Sequence, residues 1–109
     1  MKEIKLSATI ISFNEERKLE ACLKSLVGVV DEIIVVDSLS TDGTREICLR
    51  YPVKFISHSF EGYVAQKNYA VSQASYDYIV ALDADERLSD ELRESILRLK
   101  KNWGDKDGY

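Results

Sequence analysis

Four short apolar runs recur along the 109-residue chain, and longer, more polar segments separate them. Their β-branched residues predict strands at 5–12, 32–37, 53–57 and 78–82. The second and fourth runs are continuous rather than alternating, which is typical of strands inside a parallel sheet. We therefore expect the strand at 78–82 to be buried on both faces.

A helix is predicted after the first strand, where apolar residues repeat at helical spacing. Asn14 has the side chain of a good N-cap, and Glu15 and Glu16 suit the positive end of a helix. Gly28 ends the segment. The apolar stripe of this helix consists of Leu19, Cys22, Leu23, Leu26 and Val27.

Three further helices complete the predicted pattern. One covers about residues 42–51, is capped within residues 40–42 and is stopped by Pro52. Another covers residues 63–74, and Ser89 caps the last one. The last helix spaces its apolar residues four, three and four positions apart, at Leu92, Ile96, Leu99 and Trp103.

Strands that alternate with helices imply right-handed crossovers and a parallel sheet. The predicted fold class is therefore α/β, with about four strands alternating with four helices. Such sheets bind ligands beyond the carboxyl ends of their strands, near a change in strand order. Polar clusters follow the first, second and fourth strands, at residues 12–15, 37–43 and 83–86. We expect one binding site along that edge of the sheet.

Composition narrows the class of protein without deciding its function. An apolar content of 45% and a charged content of 31% are ordinary for one globular domain, and the net charge of −4 argues against a nucleic-acid partner. No apolar run is long enough to cross a bilayer, and residues 1–5 show no secretory signal. Cys22 and Cys48 lack metal-ligand spacing, so we expect reduced thiols and a cytoplasmic location; a disulfide between them is the alternative.

Two carboxylates stand at the end of the fourth predicted strand. Asp83 and Asp85 are two positions apart, so in an extended chain their side chains point the same way. Mg²⁺ or Mn²⁺ is commonly held by one or two carboxylates together with substrate phosphates. An acidic surface turn is the alternative interpretation. The chain has no glycine-rich dinucleotide motif and no Walker lysine motif, so the metal interpretation implies a nucleoside diphosphate joined to another group.

Other residues near strand ends suit a nucleotide, and each also has a simpler role. The backbone after the first strand offers polar groups to a flat heterocycle, with Phe13 as an apolar wall, and Glu15 is either a ligand contact or a partner of the helix dipole. Asp37 suits the imide N–H of a pyrimidine or a ribose hydroxyl, or else holds the following turn. Lys67 would reach a base or phosphate, or lie solvated. We interpret His58, the single histidine, as a loop hydrogen-bonding residue rather than a catalyst.

Together, four motifs resemble the N-terminal, donor-binding half of a family 2 glycosyltransferase with the GT-A fold. Their order and spacing are most similar to the bacterial β-glucosyltransferases of lipopolysaccharide core assembly. The resemblance spans nearly the whole chain, and four linked motifs are far more specific than any one of them. The motifs are Ala-Thr-Ile-Ile-Ser-Phe-Asn-Glu-Glu at 8–16, Ile-Val-Val-Asp-Ser at 34–38 with Ser-Thr-Asp-Gly-Thr at 40–44, Ala-Gln-Lys-Asn at 65–68, and Leu-Asp-Ala-Asp-Glu at 82–86.

The resemblance implies a fold, a reaction and a set of ligand contacts. Residues 1–109 would form the single Rossmann-like, nucleotide-binding half of a GT-A fold. The reaction would be an inverting hexosyl transfer from a UDP-sugar, with Mg²⁺ or Mn²⁺, to a glycan or glycolipid acceptor such as the lipopolysaccharide core. The implied contacts are main chain at Ile11 and Phe13 on the uracil, Glu15 in the same nucleotide site, Asp37 on the imide, Lys67 on the base or a phosphate, Asp83 on the ribose beside the metal, and Asp85 on the metal.

Two features depart from the family pattern. Leu39 stands where the related branch often has glycine, so we expect another conformation in the loop after Asp37. The family's general base and acceptor-binding elements lie downstream of this segment, and the family does not use Glu86 as the base. We therefore expect a donor-binding half without a catalytic residue of its own, inactive alone and prone to form a homodimer through the surface that the other half would cover.

Two other functions stay open from the sequence. The first is a nucleotide-binding or interaction module without turnover. The second is a phospho-acceptor signalling domain, which would also place an exposed aspartate at a strand end of a parallel α/β sheet. For a transferase of envelope glycans, a peripheral position at the inner face of the membrane is a further expectation.

Overall fold

A computed structural model describes residues 5–105, and residues 101–105 by their helical backbone alone. In that part of the chain, strands and helices alternate strictly, so the predicted fold class is confirmed. The strands are β1 (Leu6–Ser12), β2 (Glu32–Asp37), β3 (Val53–Ser57) and β4 (Tyr78–Asp83). The helices are α1 (Leu19–Leu26), α2 (Thr44–Leu49), α3 (Tyr63–Ser72) and α4 (Asp90–Asp105). Predictions on residues 1–4, on residues 106–109 and on the side chain of Trp103 lie outside the described part.

The four strands form one parallel sheet in the order β3-β2-β1-β4. From β1 the chain adds β2 and then β3 on one side, and it returns to place β4 on the other side of β1. The strand order therefore reverses between β1 and β4, which is where parallel α/β sheets open a crevice for ligands. The register sets Ser12 beside Asp37 and Ile11 beside Asp83, so the ends of three strands meet at this edge.

The apolar core lies on both faces of the sheet. The larger cluster packs α1, α2 and α4 against one face, around the fully buried Ile10 and Val35, and α4 joins it through Ile96. The smaller cluster packs α3 against the other face, where Ala70 contacts the cluster that includes Ile34. The helices thus cover the sheet centre and leave its carboxyl edge open for the polar residues.

Cys22 and Cys48 belong to the larger cluster as free, buried thiols. They therefore do not form the disulfide considered as an alternative. Burial is the largest cause that raises the pKa of each thiol to about 12. Thiols with such a pKa stay protonated at neutral pH and are poor nucleophiles. The two cysteines therefore serve as small apolar core residues.

β4 departs from its predicted burial. Tyr78 and Ala81 are exposed and the other strand residues are half-buried, so the prediction of burial on both faces is wrong. Among the described strands, β4 has one neighbour, β1, whereas β1 and β2 each have two. A continuous apolar run is compatible with either an edge or a central strand, and only the strand order separates the two.

α4 also buries less of its apolar stripe than its spacing predicts. Ile96 packs on the core, whereas Leu92 and Leu99 are 47% and 53% exposed. The predicted cap is confirmed, since the Leu92 N–H donates to Ser89 Oγ at 3.1 Å. Within the described part of the chain, no helix combines the length and apolar character needed to cross a membrane.

Asn14 does not cap α1, and this prediction is wrong. The helix begins at Leu19, and Asn14 has a left-handed backbone with φ of 49°. Its Oδ1 instead accepts the N–H groups of Thr41 and Asp42, at 2.8 and 3.3 Å. The N-cap of α2 is Gly43, so the predicted cap within residues 40–42 is wrong by one position, although Asp42 Oδ1 accepts the Thr44 N–H at 3.0 Å.

Candidate functional site

A cavity of about 530 Å³ opens beyond the carboxyl ends of β1 and β4. It lies where the strand order reverses, as ligand sites of parallel α/β sheets do. Most of the predicted site residues form its wall: Ile11, Phe13, Glu15, Asp83 and Asp85. The sheet therefore brings together residues that are more than 70 positions apart in the sequence, from Ile11 to Asp85.

The β1–α1 and β2–α2 loops beside the cavity hold each other by hydrogen bonds in both directions. The Asn14 N–H donates to Ser40 Oγ at 2.8 Å, and the Gly43 N–H donates to Glu16 Oε2 at 3.2 Å. The Asn14 side chain adds its two bonds to the second loop. Because Phe13 belongs to the first of these interlocked loops, the loop contacts fix the backbone that carries it.

Leu39 has a left-handed backbone, with φ of 58°, in the second interlocked loop. Glycine adopts this region without strain, whereas other L-residues adopt it at a cost. Leu39 stands where the related branch often has glycine, and its backbone nevertheless adopts the left-handed conformation that glycine favours. Its side chain is 56% exposed and gains little from packing.

Asp37 lies at the end of β2 and is 2% exposed. Its carboxylate accepts the hydroxyl of Ser12 at 2.7 Å, the N–H of Ser40 at 2.7 Å and the hydroxyl of Ser40 at 2.5 Å. It therefore holds the turn after β2 and joins that turn to β1, which is the simpler role that the sequence leaves open. A contact between Asp37 and a ligand stays a prediction.

The acidic turn after β4 is fastened to the end of β1. The Ala84 N–H donates to the Ile11 carbonyl at 3.0 Å, and the Glu86 N–H donates to the Asp83 carbonyl at 2.9 Å. The Asp83 N–H donates to Glu86 Oε1 at 2.8 Å. Glu86 thus uses its carboxylate to close the turn, and the turn presents Asp83 and Asp85 to the cavity.

Asp83 has one buried carboxylate oxygen, Oδ1, with no hydrogen-bond partner among the described residues. Lys67 Nζ lies 3.9 Å from this oxygen, which is an ion pair but too long for a hydrogen bond. The two side chains are 52% and 44% exposed, so the pair adds little to stability. Lys67 is therefore near the cavity wall without being held firmly there.

The carboxylates at the cavity fit a divalent cation that is shared with a ligand. Asp83 and Asp85 supply oxygen donors, which Mg²⁺ and Mn²⁺ prefer, and Asp83 Oδ1 has no competing hydrogen bond. Within the part of the chain that the structure describes, no three His, Cys, Asp or Glu residues group closely enough to hold a metal ion without further ligands. Phosphate or water oxygens would have to complete the coordination.

Burial raises the pKa of Asp42, but several hydrogen bonds outweigh it and hold the pKa below its usual 3.8. The donors are the hydroxyl and N–H of Thr44 and the N–H of Glu16. The carboxylate therefore stays ionised at neutral pH and keeps fastening the two interlocked loops to the start of α2.

The sequence analysis missed two aromatic residues of the cavity wall, Phe60 and Tyr63. Their rings meet edge to face with centroids 5.1 Å apart, and they are 51% and 70% exposed. Gly62, between them, has φ of 114°, which only glycine adopts readily. The available signal was an aromatic residue on either side of Gly62, Phe60 in the polar loop and Tyr63 at the first position of the predicted helix.

Gln66 was also missed, although the Ala-Gln-Lys-Asn motif was noted for Lys67. It lies in α3, is 1% exposed and lines the cavity. Its amide bonds to His58 and to Ser38, which lines the cavity as well. The His58 ring stacks on Tyr69 with centroids 3.8 Å apart, so the predicted loop hydrogen-bonding role of His58 is confirmed.

A parallel sheet of alternating strands and helices, with a cavity where the strand order reverses, defines a Rossmann-like α/β ligand-binding domain. The chain belongs to glycosyl transferase family 2, whose profile matches residues 7–105. The predicted family resemblance is thus confirmed.

Two curated relatives illustrate the family likeness. Over 92 residues the chain is 45% identical to an uncharacterized glycosyltransferase of Rickettsia felis, covering 84% of this chain and 32% of that protein. Over 102 residues it is 41% identical to the lipopolysaccharide core biosynthesis glycosyltransferase LpsC of Rhizobium meliloti, covering 89% of this chain and 37% of LpsC. The chain therefore spans about a third of the length of the curated relatives it matches.

Solved structures share the fold. Residues 1–349 of S. aureus TarS superpose with a TM-score of 0.73 at 25% identity, over 90% of this chain and 33% of that TarS segment. Glucosyl-3-phosphoglycerate synthase from Mycobacterium tuberculosis, crystallised with Mn²⁺, UDP and glucosyl-3-phosphoglycerate, superposes with a TM-score of 0.66 at 25% identity. That likeness covers 77% of this chain and 36% of the synthase.

Proposed function

We propose that this chain is the donor-binding part of a glycosyltransferase that takes a UDP-sugar together with Mg²⁺ or Mn²⁺. The observation that carries the proposal is Asp83 Oδ1, a buried oxygen that accepts no hydrogen bond, beside Asp85 in a cavity at the strand-order reversal. The synthase crystallised with Mn²⁺ and UDP supports this choice of ligand. The relative LpsC supports an acceptor in the cell envelope, such as the lipopolysaccharide core.

In this proposal, different residues at the cavity contact different parts of the UDP-sugar. Phe13, on the interlocked loops, lies beside the uracil, and main chain at Ile11 and Phe13 contacts it. Lys67 reaches the base or a phosphate, while Asp83 contacts the ribose. Asp85, with Asp83, holds the metal, which when bound would offset negative charge on the diphosphate.

Two of the proposed contacts use groups that already accept hydrogen bonds inside the protein. The Ile11 carbonyl already accepts the Ala84 N–H, and the Asp37 carboxylate already accepts three hydrogen bonds. Each oxygen has two lone pairs, so the Ile11 carbonyl and the Asp37 carboxylate can each accept one further hydrogen bond. The imide N–H of uracil is such a donor, and it is the contact proposed for Asp37.

Transfer itself needs an acceptor hydroxyl that attacks the anomeric carbon as the bond to UDP breaks. A carboxylate would take the hydroxyl proton, and direct displacement would invert the configuration. We assign no general base within this chain, because Glu86 is engaged in the acidic turn. We infer a cytoplasmic location for the proposed activity, where UDP-sugars are at hand and thiols such as Cys22 stay reduced.

Calorimetry with UDP and Mn²⁺ tests the proposal. We expect wild type to bind UDP in a metal-dependent manner and Asp85→Ala to weaken binding at least 10-fold. Asp77→Ala is the matched control, because Asp77 is an exposed aspartate at the opposite end of β4. Absence of binding by wild type, or equal affinity in Asp85→Ala and wild type, would refute it.

A second candidate function is a nucleotide-binding module without turnover. The observation that favours it is the engagement of Glu86 in the acidic turn, whose other two carboxylates, Asp83 and Asp85, are assigned to the ribose and the metal. Incubation of the 109-residue chain with radiolabelled UDP-glucose, with and without an oligosaccharide acceptor, distinguishes the two. Release or transfer of the labelled sugar would exclude the second candidate.

A further inference from the structure

Gln66 is a fully buried polar side chain in the wall of the cavity, and its amide makes three hydrogen bonds. Nε2 lies 3.1 Å from Ser38 Oγ and 3.3 Å from the His58 carbonyl, and Oε1 lies 3.1 Å from His58 Nδ1. A buried amide in a core position is costly unless it is fully bonded. This residue therefore needs an explanation beyond the packing of α3.

The His58 carbonyl fixes the direction of the amide. A carbonyl oxygen only accepts, so the group facing it must be the NH₂ of Gln66. Oε1 then faces His58 Nδ1, which must carry the ring proton. Each N–H of Gln66 has one acceptor, the His58 carbonyl and Ser38 Oγ. All donors and acceptors in this group are thus assigned by chemistry.

Ser38 Oγ is left as an acceptor toward Gln66, so its own proton must point elsewhere. Ser38 is half-buried and lines the cavity. Among the described residues, the Ser38 hydroxyl has one hydrogen bond, which it accepts from Gln66. None of these residues accepts the Ser38 hydroxyl proton. The O–H of this half-buried residue is therefore available as a donor on the side of the cavity.

We propose that Gln66 is a positioning residue, which orients the Ser38 hydroxyl as a donor to an oxygen acceptor of the bound nucleotide. The inference rests on the proposed function, because it takes UDP as the ligand. Without the Gln66 N–H, the hydroxyl would be free to turn its proton away from the nucleotide, and in Gln66→Glu the new carboxylate would accept that proton inside the protein. The nucleotide would then meet a lone pair where it needs a donor.

A purely structural role is the competing explanation, since Gln66 also ties the loop after β3 to α3 through His58. The two roles differ in one measurable respect. A positioning role acts through Ser38, so its effect on nucleotide affinity must vanish when Ser38 has no hydroxyl. A structural role affects the cavity whether or not the Ser38 hydroxyl is present.

The experiment is a double-mutant cycle on UDP affinity, measured by calorimetry with Mn²⁺. Ser38→Ala is expected to weaken UDP binding about 10-fold, as loss of one hydrogen bond does. Gln66→Met keeps the length of the side chain and removes its polar atoms; we expect it to weaken binding roughly 5-fold to 10-fold in the wild-type background and less than about 2-fold in Ser38→Ala. Gln73→Met, at the far end of α3, is the matched control and should bind as wild type does.

Each outcome decides one question. Equal losses from Gln66→Met in both backgrounds, or no loss in a folded Gln66→Met, would overturn the positioning role. A wild type that binds no UDP would instead defeat the proposed function. Urea unfolding of each variant confirms that it is folded, and if Gln66→Met does not fold, Gln66→Glu replaces it, because glutamate keeps the acceptor for His58 Nδ1–H and lacks the donor to Ser38.

Discussion

Leu39 adopts a left-handed backbone conformation that costs an L-residue about 1–2 kcal/mol. We predict that Leu39→Gly removes this cost. Glycine also has more freedom in the unfolded chain, worth about 0.5–1 kcal/mol, so the net free energy of unfolding should rise by roughly 0.5–1 kcal/mol. Little burial is lost, because the side chain is mostly exposed. Urea unfolding followed by circular dichroism measures the change.

The matched control for this strain is Leu49→Gly. Leu49 is similarly exposed, at 65%, but it ends helix α2 rather than occupying a left-handed turn. Glycine there should lower the free energy of unfolding by up to about 1 kcal/mol. If both substitutions destabilise the protein equally, Leu39 is not strained.

Asp37 accepts three hydrogen bonds in a buried position, and Asp37→Asn replaces one of its acceptor oxygens by an NH₂ group. A donor from Ser12 or Ser40 then loses its acceptor. We predict that the free energy of unfolding falls by about 2 kcal/mol, measured by urea unfolding without nucleotide. Asp77→Asn, at an exposed aspartate, should change it little. Unchanged stability together with lost UDP affinity would show that Asp37 serves the ligand alone.

Single residues were predictable where local sequence decides their place. Asp83 and Asp85 directly follow an apolar run, so they had to lie at a strand end, and the cavity is found there. Asn14 and Gln66 were different, because their partners come from other elements. The Asn14 acceptor serves a loop 27 residues further along, and the Gln66 amide joins two separate strand ends. No local pattern encodes such partners.

At the scale of elements, Glu32 joins three parts of the fold. Its carboxylate accepts the Ser7 hydroxyl of β1 at 2.7 Å, and the N–H and hydroxyl of Ser75, before β4, at 2.8 and 2.7 Å. Burial raises the pKa of Glu32, but these bonds and the charge of Lys54 together outweigh burial and lower the pKa below its usual 4.5. A pKa that is lower in the folded state stabilises the fold above the unfolded-state pKa, and this is lost as the pH falls through the folded-state value.

We predict that Glu32→Gln removes this pH-dependent contribution. The gap in free energy of unfolding between wild type and Glu32→Gln should be full at neutral pH and shrink as the pH falls below the ordinary glutamate pKa of 4.5. Urea midpoints of both proteins at a series of pH values measure the gap. A gap that stays constant down to about pH 3 would contradict the assigned role of the carboxylate.

Strand positions were more predictable than strand environments. The bounds of β2 and β3 coincide with the predicted ones, because polar and turn residues on either side of each short run leave few alternatives. The exposure of β4 was not predictable, since it depends on which strands lie beside it. Strand order is a property of the whole sheet, and an apolar run does not contain it.

At the scale of the whole molecule, exposed apolar side chains lie on α3 and on α4, which pack on opposite faces of the sheet. Those on α3 are Tyr63, Val64 and Val71, and those on α4 are Leu92, Leu97 and Leu99. We predict that the 109-residue chain forms homodimers as its concentration rises, because exposed apolar groups favour association. Multi-angle light scattering over a concentration series measures this.

Val64→Lys should weaken the association, because Val64 is 73% exposed on α3. Leu49→Lys is its control, since Leu49 is exposed on α2, which packs on the face of the sheet opposite to α3. A monomer at every concentration, or equal effects of the two substitutions, would count against a dimer through α3.

The two interlocked loops have a consequence for any molecule that enters the cavity. Since each loop supplies donors and acceptors to the other, neither can move without breaking the contacts of its neighbour. One wall of the cavity is accordingly preassembled, and its entropy of ordering has been lost during folding rather than at the moment of binding. The free energy of binding therefore includes no cost for ordering that wall.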